Sequence, residues 1–190
     1  MPSSETLSSK AGFVLDALIK RLEAVIRAMG LVAAFGAIVL VVLVATNVLL
    51  RYFAHVGSVW SQELEWHLLA PIAMLGVPYA LLHGDYVRVD VLYDRFSEKT
   101  QLRLDIFAAV IGMVVSLLLL KYSVPYVLTS WGNGEGSPDP GGLPARYVLK
   151  AVLPFGFFLL FLQQTAQVLR DVLILKQGGK FERPEPESEF

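Results

Sequence analysis

Residues 31–50 of this chain, LVAAFGAIVLVVLVATNVLL, contain no charged side chain. Twenty residues in a helix rise about 30 Å, the thickness of a bilayer's hydrocarbon core. Three more runs of similar character follow, at about 62–82, 104–122 and 147–169. A chain of 190 residues that is 55% hydrophobic and 17% charged cannot hide this much apolar surface in its own core. Most of it must face lipid or another membrane subunit. The predicted fold is therefore an all-α integral membrane protein with four transmembrane helices.

The first apolar run starts only after about residue 28 and is too long for the apolar region of a signal peptide, so it reads as a retained first span. Ahead of it, residues 10–28 place Leu15, Leu18, Leu22 and Val25 at helical spacing. Asp16, Lys20, Glu23 and Arg27 fall mainly on the other side. This pattern fits an interfacial amphipathic helix or a polar-faced extension of the first span, and the two readings stand equal. Three domains are expected: a cytoplasmic or interfacial segment at 1–28, a four-helix membrane domain at 29–175, and a disordered cytoplasmic tail at 176–190, rich in Pro and Glu. Ser97 followed by Glu98 forms an expected N-cap with an acid in the first turn for span three.

Orientation follows from the lysines and arginines. Twelve of the sixteen fall in the amino-terminal segment, the connection after span two and the carboxyl tail. Arg51, Lys121, Arg146 and Lys150 lie on the opposite side. The excess of positive charge predicts that both termini are cytoplasmic. Trp60, Trp66 and Trp131 then mark the outer membrane surface, where an apolar ring with an N–H donor is favoured.

A net charge of −1 argues against nucleic acid, and the absence of cysteine excludes disulfides and thiolate chemistry. No cofactor, metal or catalytic set is expected, because no nucleophile with a base and an orienting partner can be assembled across these spans. A haem-bearing bundle needs histidines on different spans at matching depth. His55 and His83 lie in loops, and His67 is the one histidine within a span. The chain does not read as an enzyme.

Glu63, Glu65 and His67 are the most provocative cluster. Ionisable groups at membrane depth mark ion or proton paths, and Glu63 and His67 lie one turn apart and can meet, while Glu65 points elsewhere. At the outer headgroup level, however, charge is inexpensive, and a partner-docking edge is the favoured reading. Ala73, Gly76 and Ala80 form a small-residue stripe suited to close helix packing. Gln163, Gln164 and Gln167 are expected to hydrogen-bond a neighbouring helix. The connection 132–144, GNGEGSPDPGGLP, presents Glu135 and Asp139 outward. It reads equally as a turn-rich linker or as a docking surface.

Three stretches give the chain a familiar look: Trp60-Ser61-Gln62-Glu63-Leu64; Gly84-Asp85-Tyr86-Val87-Arg88-Val89-Asp90-Val91-Leu92; and the run from Glu135 to Pro144, followed by Lys150 and Pro154. In order and spacing they resemble the small membrane subunit of tripartite ATP-independent periplasmic (TRAP) transporters, the DctQ-type family, over about residues 28–175. The family usually has a histidine where this chain has Tyr86, just before the Arg88 and Asp90 motif. Its work is done here by a phenol or not at all. The resemblance implies a non-catalytic subunit of a bacterial inner-membrane secondary transporter. Its implied partners are a large, about twelve-span membrane transport subunit and a periplasmic substrate-binding protein that delivers an organic anion, commonly a carboxylate. Transport by an elevator-like motion driven by a sodium gradient is implied on the same basis. The contrasting hypothesis, a self-contained four-span oligomeric exporter or channel, requires a charge deep within a span. None of Asp, Glu, Lys or Arg lies near the middle of any span.

Overall fold

The computed structural model describes residues 4–84, 93 and 95–177, with side chains from Val14 to Lys176. Four helices account for almost all of these: α1 (Ser4–Phe53), α2 (Val59–Leu82), α3 (Glu98–Gly132) and α4 (Arg146–Gln177). Each contains a stretch long and apolar enough to cross a membrane. The Tyr86, Arg88 and Asp90 motif and the tail from 178 onward lie outside the described residues.

No proline interrupts α1 after the chain's second residue, and the backbone continues without a break through residue 28. The predicted amphipathic segment and the first span are thus one helix of 50 residues, about 75 Å long. Its inward face repeats every seven residues through Ile19, Ile26 and Ala33, all buried. A second seven-residue repeat runs through α3, where Leu102, Ala109, Ser116, Ser123 and Ser130 are all buried. Seven-residue spacing keeps one seam facing a partner along two left-handed supercoiled helices. The serines are small enough to let the helices approach closely in lipid, where packing rather than hydrophobic burial drives association. Ser116 and Ser123 donate to carbonyls three residues back, Met113 and Leu120, each at 2.9 Å, so their hydroxyls stay satisfied inside the seam.

Helix α4 packs along α3 and also touches α2 and α1, while α1 packs mainly on α2. The core centres on Ile26, Ala33, Leu75, Leu82 and Leu159, with Tyr79 and Leu162 packed around it. Glycines set the closest approaches. A Cβ on Gly30 would fall 2.0 Å from the Tyr79 ring, and one on Gly156 would fall 2.6 Å from the Met74 side chain. Pro78, inside α2, has no N–H to offer the Met74 carbonyl one turn earlier. Gly156 lets α4 close over that carbonyl: its Cβ would lie 3.1 Å from the oxygen. Protein packing of this kind is what makes interior prolines tolerable in membrane helices.

The apolar surface that remains is large. Phe35, Ile38, Val41, Phe107 and Leu128 are all at least 63% exposed. The buried residues, by contrast, include Glu23, Glu63, Asp105, Gln163 and Asp171. Among the described residues large apolar side chains face outward while several charged and amide side chains are buried beside the apolar core, as expected where lipid is the solvent.

Ser97 stands at the N-cap of α3, as expected, but its hydroxyl meets that of Thr100 at 2.9 Å and caps no backbone N–H.

Candidate docking site at the loop end of the bundle

One end of the bundle carries the α1–α2 and α3–α4 connections; the opposite end carries both described termini. At the loop end, the α3–α4 connection is tied down at two carboxylates. Glu63, in the second turn of α2, is only 3% exposed. Its Oε1 accepts the Ser137 hydroxyl, and its Oε2 accepts the Leu143 backbone N–H at 2.5 Å. The loop closes on itself beside these contacts, where the Ser137 N–H donates to the Leu143 carbonyl at 3.1 Å. Gly142 has to be a glycine for this approach: a Cβ there would lie 2.6 Å from Glu63 Oε2.

The second anchor is Glu135. Its Oε2 accepts the Ser130 hydroxyl at 2.6 Å and a 2.5 Å ion pair from Lys150. The Lys150 ammonium also sits 4.2 Å above the centre of the Tyr126 ring. The hydrogen bonds from Lys150 and then Ser130 hold the Glu135 carboxyl below the ordinary carboxylate pKa. Nearby, the Glu135 carbonyl accepts the Arg146 N–H at 2.9 Å, and the rings of Trp131 and Tyr147 stack at 5.1 Å. Ala145 is held at a φ of 60°, a left-handed conformation that a β-carbon disfavours. It persists because the residues on both sides are pinned.

The result is a closed, charge-anchored platform with Asp139 exposed on it. The Asp139 carbonyl accepts the Gly142 N–H at 3.0 Å, and its own N–H donates to Ser137 Oγ at 3.1 Å. That makes 139–142 a tight turn.

The other members of the sequence cluster separate. Glu65 turns away from Glu63 toward α1, where its Oε1 accepts the Asn47 amide at 2.7 Å. His67 does not meet the Glu63 carboxylate. Its Nδ1 lies 2.7 Å from the Glu63 carbonyl, while its Nε2 is buried with no hydrogen bond. A carbonyl only accepts, so Nδ1 carries the proton. The Glu63 carboxylate is thus taken up by the loop it holds and is not itself presented at the surface.

Among the described residues, two of the three positions of the small-residue stripe on α2 make no close helix contact, while Ala80 is half-buried. Ala73 is exposed, and a Cβ on Gly76 would meet nothing within 4 Å. The close-packing glycines are Gly30, Gly112 and Gly156, which composition alone does not single out. Gln163 is 2% exposed and lies at the α4 seam, whereas the Gln164 side chain covers Gly112 on α3. Gln167 differs from expectation: its amide donates to both Asp171 oxygens, at 2.9 and 3.1 Å, one turn along its own helix. Residues four apart on a helix are neighbours on its surface, so an aspartate at i+4 is within reach of the amide.

Ser137, Leu143 and Ser130 escaped sequence reasoning, because a serine hydroxyl or a loop amide carries no signal of its own. Asn47 did carry one: a lone strongly polar side chain in an uncharged run needs a partner.

Comparison with known proteins agrees with this architecture. Residues 40–173 match the family described as "Tripartite ATP-independent periplasmic transporters, DctQ component". The chain is 28% identical over 162 residues to the ectoine TRAP transporter small permease protein TeaB of Halomonas elongata, covering 83% of this chain and 78% of that protein. It is 29% identical over 121 residues to the C4-dicarboxylate TRAP transporter small permease protein DctQ of Pseudomonas aeruginosa, covering 63% and 57% of the two chains. The four membrane-spanning helices and the family match over most of the membrane domain converge on one assignment. This chain belongs to the DctQ family, and is a non-enzymatic small inner-membrane subunit of a TRAP transporter.

Proposed function

We propose that the chain braces a large, about twelve-span transport subunit within the membrane and presents its loop end to a periplasmic substrate-binding protein. On this reading both termini are cytoplasmic, in keeping with the distribution of lysine and arginine. The observation that carries the proposal is the double anchoring of the 132–145 loop by Glu63 and Glu135. A passive linker needs no buried carboxylate holding its backbone. A surface that must meet a soluble protein in one geometry gains from being fixed beforehand. Glu135 and Asp139 give that surface its acidic character, and Glu65 and His67 share the same rim. The Ala73, Gly76 and Ala80 stripe, open at Ala73 and Gly76, is the proposed packing face for the large subunit.

The transported solute is proposed to be an organic anion, a carboxylate by family resemblance, moved with an ion gradient in symport. Two relatives named for different solutes, ectoine and C4-dicarboxylate, align with this chain at nearly equal identity. That supports placing solute choice in the other subunits.

The test is reconstitution of this chain with its large subunit and binding protein in proteoliposomes, with uptake of labelled C4-dicarboxylate and labelled ectoine under an imposed sodium gradient. Glu63→Ala combined with Asp139→Lys is expected to slow uptake and weaken binding-protein recruitment without changing which solute is taken. A changed solute profile would overturn the docking role. Transport by this chain alone would favour the channel hypothesis.

A further inference from the structure

Between the end of α1 and the start of α2 lies a groove of about 370 Å³. We propose that it binds the headgroup of a zwitterionic phospholipid of the phosphatidylethanolamine type. Three observations carry this beyond the transport assembly itself.

The first is charge. Arg51 and Glu65 both line the groove, yet neither forms an ion pair among the described residues. Arg51 is exposed, and its guanidinium offers paired N–H donors matched to a phosphate. Glu65 has one oxygen on the Asn47 amide at 2.7 Å, which fixes the carboxylate in place and leaves the other oxygen for a donor. A positive group on α1 and a negative group on α2, lining the same groove, complement a ligand carrying both a phosphate and an ammonium.

The second is polarity along the groove. Val44 and Val48 line it from α1, and Ser61, Gln62 and Glu65 line it from α2. Val48 is 59% exposed, so the apolar wall opens toward acyl chains. A soluble phosphate would gain nothing from these valines, and an apolar partner helix would leave Arg51 and Glu65 unmatched.

The third is depth. Trp66 lines the groove and Trp60 sits on the same helical end; both are about half exposed. Tryptophans of this kind sit at the headgroup level, where the phosphate and amine of a lipid also lie.

Native mass spectrometry of the full chain, taken from bilayers mixing phosphatidylethanolamine, phosphatidylglycerol and phosphatidylcholine, tests the assignment. The expected result is retention of phosphatidylethanolamine about tenfold above the other two, the scale of one charge-assisted hydrogen bond. Arg51→Gln should release it, whereas Glu65→Gln should keep phospholipid but erase the preference over phosphatidylcholine, whose ammonium has no N–H. Arg103→Gln, at the opposite end, should change nothing. Circular dichroism checks that each variant is folded, and should Glu65→Gln fail to fold, Arg51→Gln decides alone. Equal retention of all three lipids would overturn the proposal, as would indifference to Arg51→Gln or displacement by soluble phosphoethanolamine. Loss of the lipid when the large subunit is bound would show instead that protein covers the groove.

Discussion

Glu63 on α2 and Leu143 in the α3–α4 connection are eighty residues apart, yet the Leu143 amide donates to Glu63 Oε2 at 2.5 Å. A buried carboxylate bonded to a loop's backbone fixes the path of that loop in a way that a side-chain pair on its surface does not. The arrangement turns a glycine- and proline-rich connection into a defined surface.

Glu63→Ala removes the acceptors for the Leu143 amide and the Ser137 hydroxyl together. The Leu143 amide is therefore expected to exchange its hydrogen at least about tenfold faster. Hydrogen-exchange mass spectrometry across 136–145 reads this directly; unchanged protection would show that the loop holds its shape without Glu63.

The Glu135 anchor sets a pH dependence. Its folded pKa lies below the ordinary value of 4.5, because Lys150 and Ser130 bond the charged form. A carboxylate depressed in this way stabilises the loop fully above the ordinary value and ceases to do so as pH falls through the folded value. The loop end should thus be insensitive to pH near neutrality and loosen only below 4.5. Fluorescence of Trp131, stacked on Tyr147, is expected to follow that acid transition in the wild type. In Glu135→Gln the transition should shrink to what the second anchor, Glu63, contributes.

Glycines at the helix contacts should respond unequally. Gly156→Val drives a side chain into Met74, and overpacking of this kind destabilises by about 1–3 kcal/mol. Gly76→Ala meets open space and improves helix propensity by up to about 1 kcal/mol, so the isolated chain should be as stable or more so. Should the stripe bind the large subunit, the same Gly76→Ala change is expected to weaken assembly. Thermal melts of the chain alone, set beside co-purification of the complex, separate the two effects.

At the terminal end, Arg170 on α4 pairs with Glu23 on α1, which also lies 3.6 Å from Arg27. Among the described residues, Arg170→Met leaves the 8%-exposed Glu23 with only the exposed Arg27. Because the Arg170 side chain retains 28% exposure, the expected loss is roughly 1–3 kcal/mol, below that of a fully enclosed pair. Adding Glu23→Leu to Arg170→Met should recover part of it. A double-mutant cycle on thermal stability would show the coupling, and strict additivity would refute it.

How far the sequence reached differs between the helices and their contacts. The four spans could be located because hydropathy is set against the bilayer residue by residue, and each run needs no neighbour to be recognised. The ends of α3 were harder. Span three was placed at about 104–122, and the helix that contains it runs from Glu98 to Gly132 with Pro125 and Thr129 inside it. The Thr129 hydroxyl returns a bond to the Pro125 carbonyl at 2.9 Å.

The sequence by itself determined that this is a four-helix membrane protein, where its charges lie along the chain, and which family motifs it carries. Only the tertiary structure decided that Glu63 grips a loop eighty residues away, that Glu65 bonds Asn47, and that Ala109, Ser116, Ser123 and Ser130 form one seam. The reason is physical. Crossing a bilayer depends on local composition and length, whereas the partner of a polar group depends on how each helix is rotated and where each loop returns. The opening run 31–50 shows both sides: its nineteen other residues specify a span, and Asn47 waits for α2 to supply a carboxylate.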